Sequence, residues 1–302
     1  MLQVGKKPEV NKGYIFFRKN ISGWLIMLPA IILFIFFVWE PLFENIRLSF
    51  YNSTGIKTTN FVGLMNYKEV VKDPSFMPAM RNTIYYTLWS LVIGFLVPII
   101  MAILINEMVY AKGFFRIGTY FPNVVPGLAT VMMWGFIFKP GDTGILNIIL
   151  KQFGIGPQVW LNNPKLTILL IVITMTWRSA GATALIYLAG LQGINTELYE
   201  AAIIDGASIW NRIVHVTIPN LRNLGRTLLI LQIVAVFQVL YEPMVMKNGG
   251  PNRASLSMME LVWDLAFGKF DFSHAAAIGV MMSVFLITVT LVYNKFVKVQ
   301  DM

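Results

Sequence analysis

The chain has 302 residues, of which 56% are hydrophobic and only 13% are charged. Soluble domains carry about 25% charged residues, so this composition excludes an ordinary soluble domain and predicts an integral membrane protein. The net charge of +9 does not come from a basic stripe interleaved with aromatic residues, and we therefore predict no nucleic-acid binding. The absence of cysteine excludes a disulfide framework and a thiolate metal site. His215 and His274 are isolated in the sequence and are interpreted as structural residues.

Apolar stretches divide the chain into spans. Residues 1–22 are polar and basic, and the positive-inside rule predicts that they form a cytoplasmic N-terminal segment. A signal peptide is the alternative, but the long polar leader and the lack of a small-residue cleavage site argue against it. Residues 23–298 are predicted to form one transmembrane domain of about six helices, each near the ~20 residues that cross hydrocarbon. The predicted spans are 23–39, 82–105, 117–138, 166–188, 227–246 and 275–293.

Prolines and charges refine these spans. Glu40-Pro41 is predicted to end the first span, Pro98 to kink the second, and Pro122 and Pro126 to break the third. The N-terminal leader, the C-terminal tail and the flanks of the inner loops are basic, whereas the longer outer loops balance their lysines with acidic residues. Both termini are therefore predicted to be cytoplasmic, and so is the loop between the fourth and fifth spans.

That loop, residues 196–221, is the most polar helix-forming stretch in the second half of the chain. Its alanines and isoleucines recur at helical spacing, and Glu197 and Glu200 fall in the first turn, where carboxylates suit the helix dipole. Gly206 indicates a sharp turn between two short helices, and Pro219 is predicted to end the stretch. The pattern alone also fits an amphipathic helix that lies on the membrane surface.

The same stretch resembles the EAA loop of binding-protein-dependent ABC importer permeases. Its pattern there is Glu-Ala-Ala, three residues, glycine, nine residues and Ile-x-Leu-Pro. Residues 61–67 are also similar to a patch of sugar-type permeases, and residues 249–251 resemble a Gly-Gly-Pro segment of the carbohydrate branch. The resemblance is best from 83 to 297. The matching loop residues are Glu200, Ala201, Ala202, Gly206 and Pro219, with Val216 replacing the isoleucine and Ile218 replacing the leucine.

The resemblance implies an all-α membrane helix bundle with the type I ABC importer permease fold, in a carbohydrate importer of a bacterial plasma membrane. The implied partners are the lipid bilayer, a second homologous permease subunit (generally an unlike chain), two ABC ATPase subunits and an extracytoplasmic sugar-binding protein. ATP and Mg would be bound by the ATPase subunits, and no cofactor is expected on this chain. The loop would form a coupling helix that docks in a cleft of the ATPase. The predicted coupling residues are Glu200, Ala201, Ala202, Asp205, Gly206, Ala207, Trp210 and Arg212.

No catalytic motif occurs in the sequence. The GxxxxGK[ST] loop that cradles phosphate is absent, as are a nucleophile elbow and HExxH. We therefore predict a transport subunit that is not itself an enzyme. If transport requires energy, a partner must supply it, and the EAA loop is the best candidate for the contact with that partner.

Polar residues inside the predicted spans are candidates for the translocation path. Arg178 lies near mid-depth of the fourth span, where a charge costs about 2.5–3.5 kcal/mol. In the fifth span Gln238, Tyr241 and Glu242 fall at i, i+3 and i+4 and so share one helix face, and Gln232 adds polarity deeper in. We predict that these residues line the path and bind sugar hydroxyls. The alternative is that Arg178 pairs with Glu242, or with the carbonyls of a kinked helix, and only holds the bundle together.

Three other functions stay open at this point. An ABC permease could carry another solute, such as glycerol phosphate or a peptide. A secondary transporter or channel subunit would show acidic residues or inverted repeats in its spans, and apart from Glu242 these are lacking. A membrane-anchored scaffold would tolerate Gly206→Pro, a change that we expect to abolish uptake.

Overall fold

The computed structural model describes residues 21–54, 57–247 and 250–300. Nearly all of the predicted N-terminal segment, and Gly249 of the Gly-Gly-Pro segment, lie outside these ranges. The strands are β1 (Tyr51–Thr54) and β2 (Lys57–Phe61). The helices, with π turns included in the helix that they interrupt, are α1 (Ile21–Phe34, Ile35–Trp39, Glu40–Leu48), α2 (Met65–Lys72), α3 (Phe76–Trp89, Ser90–Gly94, Phe95–Glu107), α4 (Lys112–Val124), α5 (Gly127–Ile137), α6 (Ile145–Gln152), α7 (Thr167–Gln192), α8 (Thr196–Ile204), α9 (Ile209–Arg212, Ile213–Thr217, Ile218–Phe237), α10 (Tyr241–Lys247), α11 (Met258–Trp263, Asp264–Gly268) and α12 (Phe272–Gln300).

Four helices in the described ranges, α1, α3, α7 and α12, are long and apolar enough to cross a membrane. Helices α4 and α5 qualify together as a fifth crossing, bent by 96° at their junction. The chain is thus a multi-pass membrane helix bundle, as predicted. Four or five crossings among the described residues meet this test of length and composition, and the number of about six stays a prediction. The predicted span 227–246 is wrong as a single helix, because α9 ends at Phe237 and α10 begins at Tyr241. Arg222 and Arg226 in the first turns of its α-helical part, Ile218–Phe237, lower the apolar character of α9.

Prolines do not end the helices where the sequence predicts. Helix α1 continues through Glu40-Pro41 to Leu48, and α9 continues through Pro219 to Phe237, so both predicted ends are wrong. A proline has no N–H for the carbonyl four residues earlier. In three helices that carbonyl lies in a π turn, whose wider i→i−5 bonding lets the helix go on. The pairs are Pro41 with Phe37, Pro98 with Gly94, and Pro219 with His215.

Helix α7 is the centre of the bundle, and half of its 26 residues are buried. It packs closely on α3, α4 and α9. Gly181 faces the backbone of α4 so closely that a Cβ there would overlap the carbonyl of Thr119, and a Cβ at Gly190 would meet the side chain of Leu224. Small residues at helix interfaces are typical of membrane bundles, because they let backbones approach.

A small outer layer departs from the all-α prediction. Strands β1 and β2 form an antiparallel hairpin after α1. The side-chain amide of Asn66, in the predicted sugar-permease patch, donates to the carbonyls of Ser49 and Tyr51, both at 2.9 Å. The Tyr67 hydroxyl lies 2.6 Å from the Ser49 hydroxyl. The patch therefore fixes the end of α1 and the hairpin onto α2.

The segment that follows residue 250 is tied to α3. The Asn82 side chain donates to the carbonyls of Arg253 at 2.7 Å and Leu256 at 3.1 Å, and the Tyr86 hydroxyl donates to the carbonyl of Ser255 at 3.0 Å. Ser257 then begins α11 with a reciprocal capping box. Burial of Tyr86 and Asn82 makes these bonds part of the core.

Candidate functional site

The predicted loop 196–221 folds as two helices that meet at a bend. Helix α8 begins at an Asn195 cap, whose side-chain oxygen accepts the backbone N–H of Glu197 at 3.1 Å. It ends at Ile204, and Gly206, two residues later, has φ +76°. The Gly206 N–H donates to the carbonyl of Ile203 and the Ala207 N–H donates to that of Ala202. These two bonds form a Schellman motif, which requires a left-handed residue and so favours glycine. The predicted sharp turn is therefore present.

The chain then returns along α9. The Ser208 side chain caps α9 by accepting the N–H of Asn211 at 3.3 Å. The Tyr199 hydroxyl of α8 lies 3.0 Å from the hydroxyl of Thr217, which is buried in the π turn of α9. This hydrogen bond pins the short helix to the long one, so the bend is held from both sides.

The bent segment carries an apolar surface. Ile204 is 85% exposed and Trp210 is 70% exposed, and Leu198, Ile203 and Ile209 are exposed beside them. Of the predicted coupling residues, Ala202, Ala207 and Arg212 are half-buried and the others are exposed. Contiguous exposed apolar residues with charged neighbours mark an interaction surface. The coupling roles of the individual residues stay a prediction.

A second candidate site is a cavity of about 500 Å³ between α3, α4, α7, α9 and the start of α10. It lies where helices are interrupted, at the π turn Ser90–Gly94, at the bend between α4 and α5, and at the break before α10. Irregular backbone inside a membrane protein is tolerated where it lines a cavity, and broken helices mark transporter substrate sites. The polar lining residues are Ser90, Asn123, Thr176, Arg178, Ser179, Thr183, Gln232 and Glu242.

An ion pair lies at one end of this cavity. Arg178 Nη1 is 3.4 Å from Glu242 Oε1, with the side chains 37% and 13% exposed. Glu242 is in the first turn of α10, where a carboxylate is stabilised by the helix dipole. Gly127 leaves room for the guanidinium, because a Cβ there would lie 3.4 Å from its central carbon. Arg178 and Glu242 thus form the ion pair that would hold the bundle together, and both residues also line the cavity.

Gln232 also lines the cavity, and its side-chain amide donates to the carbonyl of Ser90 at 2.9 Å and to its hydroxyl at 2.7 Å. Gln238 lies elsewhere, exposed at the end of α9, where its amide donates to the carbonyl of Val234. Tyr241 packs beside Gly127 without lining the cavity. The shared helix face predicted for Gln238, Tyr241 and Glu242 is wrong, because the helix breaks between them.

The sequence-based prediction missed the hydroxyl and amide residues of the cavity wall. Thr176, Ser179 and Thr183 follow one another at i, i+3 and i+7 on α7, a polar stripe that was visible in the sequence. Such a stripe does not by itself indicate a binding site, because a serine or threonine hydroxyl in a helix often donates to a carbonyl of its own helix. Ser179 does so, donating to the carbonyl of Met175 at 2.9 Å.

A family profile described as binding-protein-dependent transport system inner membrane component matches residues 94–301, which include both candidate sites apart from Ser90. The chain belongs to this family. As a member of this family, the chain is a membrane-embedded subunit of a transport system.

Relatives of this transport component align with almost the whole length of the chain. It is 30% identical to the probable ABC transporter permease protein YurN of Bacillus subtilis, over 93% of this chain and 97% of that protein. It is also 30% identical to the arabinooligosaccharides transport system permease protein AraP of the same organism, over 93% and 90%. The trehalose/maltose transport system permease protein MalF of Thermococcus litoralis is 30% identical, over 92% and 94%.

Solved structures agree with the fold of this transport component. A chain of a bacterial ABC transporter that imports the acidic polysaccharide alginate matches with a TM-score of 0.80 and 23% identity, over 95% of this chain and 98% of that one. A chain of a bacterial alginate ABC transporter in complex with its pentasaccharide-bound periplasmic protein matches with a TM-score of 0.83 and 23% identity, over 94% and 96%. The helix bundle is therefore the ABC importer permease fold.

Proposed function

We propose that this chain is a permease subunit of an ATP-driven importer of an oligosaccharide or related sugar. The observation that carries the proposal is the capped bend 195–210, which leaves Ile204 and Trp210 exposed for a partner. The named sugar permeases among its relatives support a carbohydrate as the solute.

The bent segment is the proposed contact with an ATPase subunit. The sequence has no phosphate-binding loop of its own, so ATP and Mg are bound by the partner. Large apolar side chains, and tryptophan above all, supply most of the binding energy where an interface excludes water. Ile204 and Trp210 on either side of Gly206 would enter a cleft in the ATPase, and Glu200 would supply a charged contact at its edge.

The basic residues at both ends of the chain support the orientation in which the termini and the bent segment lie in the cytoplasm. The opposite face then receives an extracytoplasmic sugar-binding protein, and a second, homologous permease subunit completes the pore. The structure of the alginate transporter in complex with a pentasaccharide-bound periplasmic protein is the precedent for the binding-protein partner.

The cavity between the broken helices is the proposed part of the translocation path. Sugars present many hydroxyls, and a site that binds them needs several side chains that both donate and accept hydrogen bonds. Thr176, Ser179, Thr183 and Gln232 supply such groups, and the Arg178–Glu242 pair adds charged ones. Gln238 and Tyr241, also predicted to line the path, are left out of this proposal because they lie outside the cavity.

The ATPase contact is tested with Trp210→Ala in the co-expressed importer. Trp210 is 70% exposed in this chain, so its loss should leave the fold intact. Truncation of a buried interface tryptophan costs about 2–4 kcal/mol, which corresponds to a loss of ATPase affinity of about 30- to 1,000-fold. Phe270→Ala is the control, since Phe270 is a 61% exposed aromatic outside the bend. ATPase that co-purifies equally with both variants contradicts the proposal.

The solute is tested by uptake into proteoliposomes from a panel of oligosaccharides, glycerol phosphate and peptides, with the binding protein present. We expect ATP-dependent, vanadate-sensitive uptake of a sugar. Uptake of glycerol phosphate or peptide alone would contradict the carbohydrate assignment. Uptake driven by an ion gradient without ATP would contradict the whole proposal.

A further inference from the structure

A third cavity, of about 470 Å³, lies at the end of α7 opposite the bent segment, and we call it the outer pocket. It lies between the first turns of α3, the start of α7 and the segment that follows residue 250. On α7 it is lined by Ile168, whereas the cavity between the broken helices is lined by Met175. Residues seven apart share a helix face, so the outer pocket lies about 10 Å beyond that cavity on the same side of α7.

One wall of the outer pocket is fixed by Asn82, which lines it and is only 2% exposed. The side-chain amide nitrogen of Asn82 donates to the carbonyls of Arg253 and Leu256, and these bonds hold the segment after residue 250 in place. Its side-chain oxygen accepts no hydrogen bond from any residue that the structure describes. A side-chain amide oxygen has two lone pairs, so this oxygen remains able to accept a hydroxyl proton from a ligand. Asn252 adds an exposed amide to the same lining.

The outer pocket is positively charged. Arg81 and Lys165 line it and are exposed, and neither side chain forms an ion pair or a hydrogen bond with the part of the chain that the structure describes. The described lining residues include no carboxylate. The start of α7 also borders the pocket, and the positive end of its helix dipole favours an anion. These charges suit a ligand with a carboxylate, which a guanidinium binds through two parallel hydrogen bonds.

Aromatic rings continue the lining along α3. Tyr85 and Trp89 follow Arg81 at i+4 and i+8, so the three side chains lie on one helix face. The two aromatic residues are 47% and 40% exposed. An aromatic ring packs well on an apolar surface such as the C–H face of a sugar ring. The outer pocket thus combines a surface for a sugar ring with cations for a carboxylate.

We propose that the outer pocket is an entry site that binds a uronate unit, a sugar ring with a carboxylate, of the transported oligosaccharide. The carboxylate lies between Arg81 and Lys165, the ring packs on Trp89, and a hydroxyl donates to the side-chain oxygen of Asn82. The inference rests on the proposed function and narrows its solute to an acidic oligosaccharide. The solute then meets the outer pocket before it reaches the cavity between the broken helices.

The test uses the assembled importer in phosphatidylcholine nanodiscs, without the binding protein, and measures ligand binding by saturation-transfer difference NMR. The probes are trigalacturonate and its trimethyl ester, which has the same sugar rings but no charge. The acid should bind about tenfold more tightly than the ester, because it pairs with two exposed cations. Arg81→Gln and Lys165→Gln should each weaken binding of the acid about three- to fivefold and leave the ester unchanged. Lys151→Gln, which removes an exposed cation of α6 outside the pocket, should change neither.

The aromatic contact is tested with Trp89→Ala. Because packing of a ring does not depend on the charge of the ligand, this variant should weaken the acid and the ester by the same factor. Trp263→Ala is the control, since Trp263 is 41% exposed and does not line the outer pocket. If Trp89→Ala fails to assemble, the two cation variants decide the question.

Equal affinity for the acid and the ester overturns the inference, and so does a lack of binding of both. Phosphatidylglycerol in the nanodiscs that displaces both probes identifies a lipid site, which is also a contrary result. Loss of binding-protein capture in Arg81→Gln with unchanged sugar binding identifies a docking surface and overturns it as well. Binding is measured without ATP or uptake, so ATP-dependent uptake of a neutral oligosaccharide would leave the proposed function standing while this inference fails.

Discussion

Neutralising the Arg178–Glu242 ion pair at the cavity between the broken helices separates a structural role of the pair from a role in transport. Glu242→Gln keeps the shape of the side chain and leaves Arg178 without its carboxylate at 3.4 Å. Arg178→Gln removes the cation instead and leaves the Glu242 carboxylate without its arginine. The double variant removes both charges at once, so no buried charge is left alone. A double-mutant cycle of these three variants isolates the coupling between the two residues.

The expected magnitude follows from the distance and the exposure. Two unit charges 3.4 Å apart attract each other by about 5 kcal/mol at an effective dielectric constant of about 20. Arg178 is 37% exposed, which brings the interaction towards the ~0.2–1 kcal/mol of surface pairs. We therefore expect each single variant to lose about 1–3 kcal/mol and the double variant to lose less. The exposed Arg47–Glu44 pair on α1 is the control cycle, with an expected coupling below about 1 kcal/mol.

The assay measures assembly and transport separately. Thermal unfolding of the purified importer reports stability, and the loss of about 1–3 kcal/mol should lower Tm by about 2–10 °C. Sugar uptake into proteoliposomes reports the path. If Arg178 and Glu242 contact the solute, the double variant regains stability but keeps a raised KM for the sugar. A double variant that regains both stability and uptake refutes a transport role and assigns the pair to structure alone.

Three further changes test the fold and the bend. Gly181→Ala should destabilise the importer by about 1–3 kcal/mol because its Cβ overlaps the backbone of α4, whereas Gly118→Ala, at an open position on α4, should leave Tm unchanged; equal Tm values would contradict the packing. Gly206→Pro should abolish uptake, because proline requires φ near −65° where the bend has +76°, while Gly206→Asn, which tolerates left-handed backbone, should keep most of it; equal uptake by both would contradict the bend. Burial raises the pKa of Asp271, but hydrogen bonds from the side chain and backbone N–H of His274 outweigh it and hold that pKa below its usual 3.8. A lowered pKa stabilises the fold above pH 3.8 and loses this effect as pH falls through the folded value. The Tm difference between the natural chain and Asp271→Asn should therefore shrink from pH 7 to pH 3, and a constant difference would contradict it.

The bend at Gly206 could be predicted because the signal is local. A glycine inside a helical pattern needs no tertiary contact to indicate a turn between two short helices. The central position of α7 was not predicted, because its apolar composition resembles that of the other spans. Its glycines, Gly181 and Gly190, acquire their meaning only from the helices that pack on them.

The helix ends at proline could not be predicted in this way. A rule that considers one residue at a time predicts that α1 ends before Pro41 and that the loop 196–221 ends at Pro219. The π turns that carry both helices onward depend on how neighbouring turns are packed. The opposite error occurred after Phe237, where the sequence stays apolar but the helix stops. The same break placed Glu242 at the cavity and Gln238 away from it, so the predicted set of path residues was only partly brought together.

The unbroken course of α9 has a mechanical consequence. Trp210 and Gln232 belong to one helical rod, and at 1.5 Å per residue they are about 33 Å apart along it. A displacement of Trp210 is therefore transmitted to the cavity wall without passing through a loop. The π turn Ile213–Thr217 interrupts the regular hydrogen bonding of that rod. Because helices bend at such interruptions, we expect any bending between Trp210 and Gln232 to occur there.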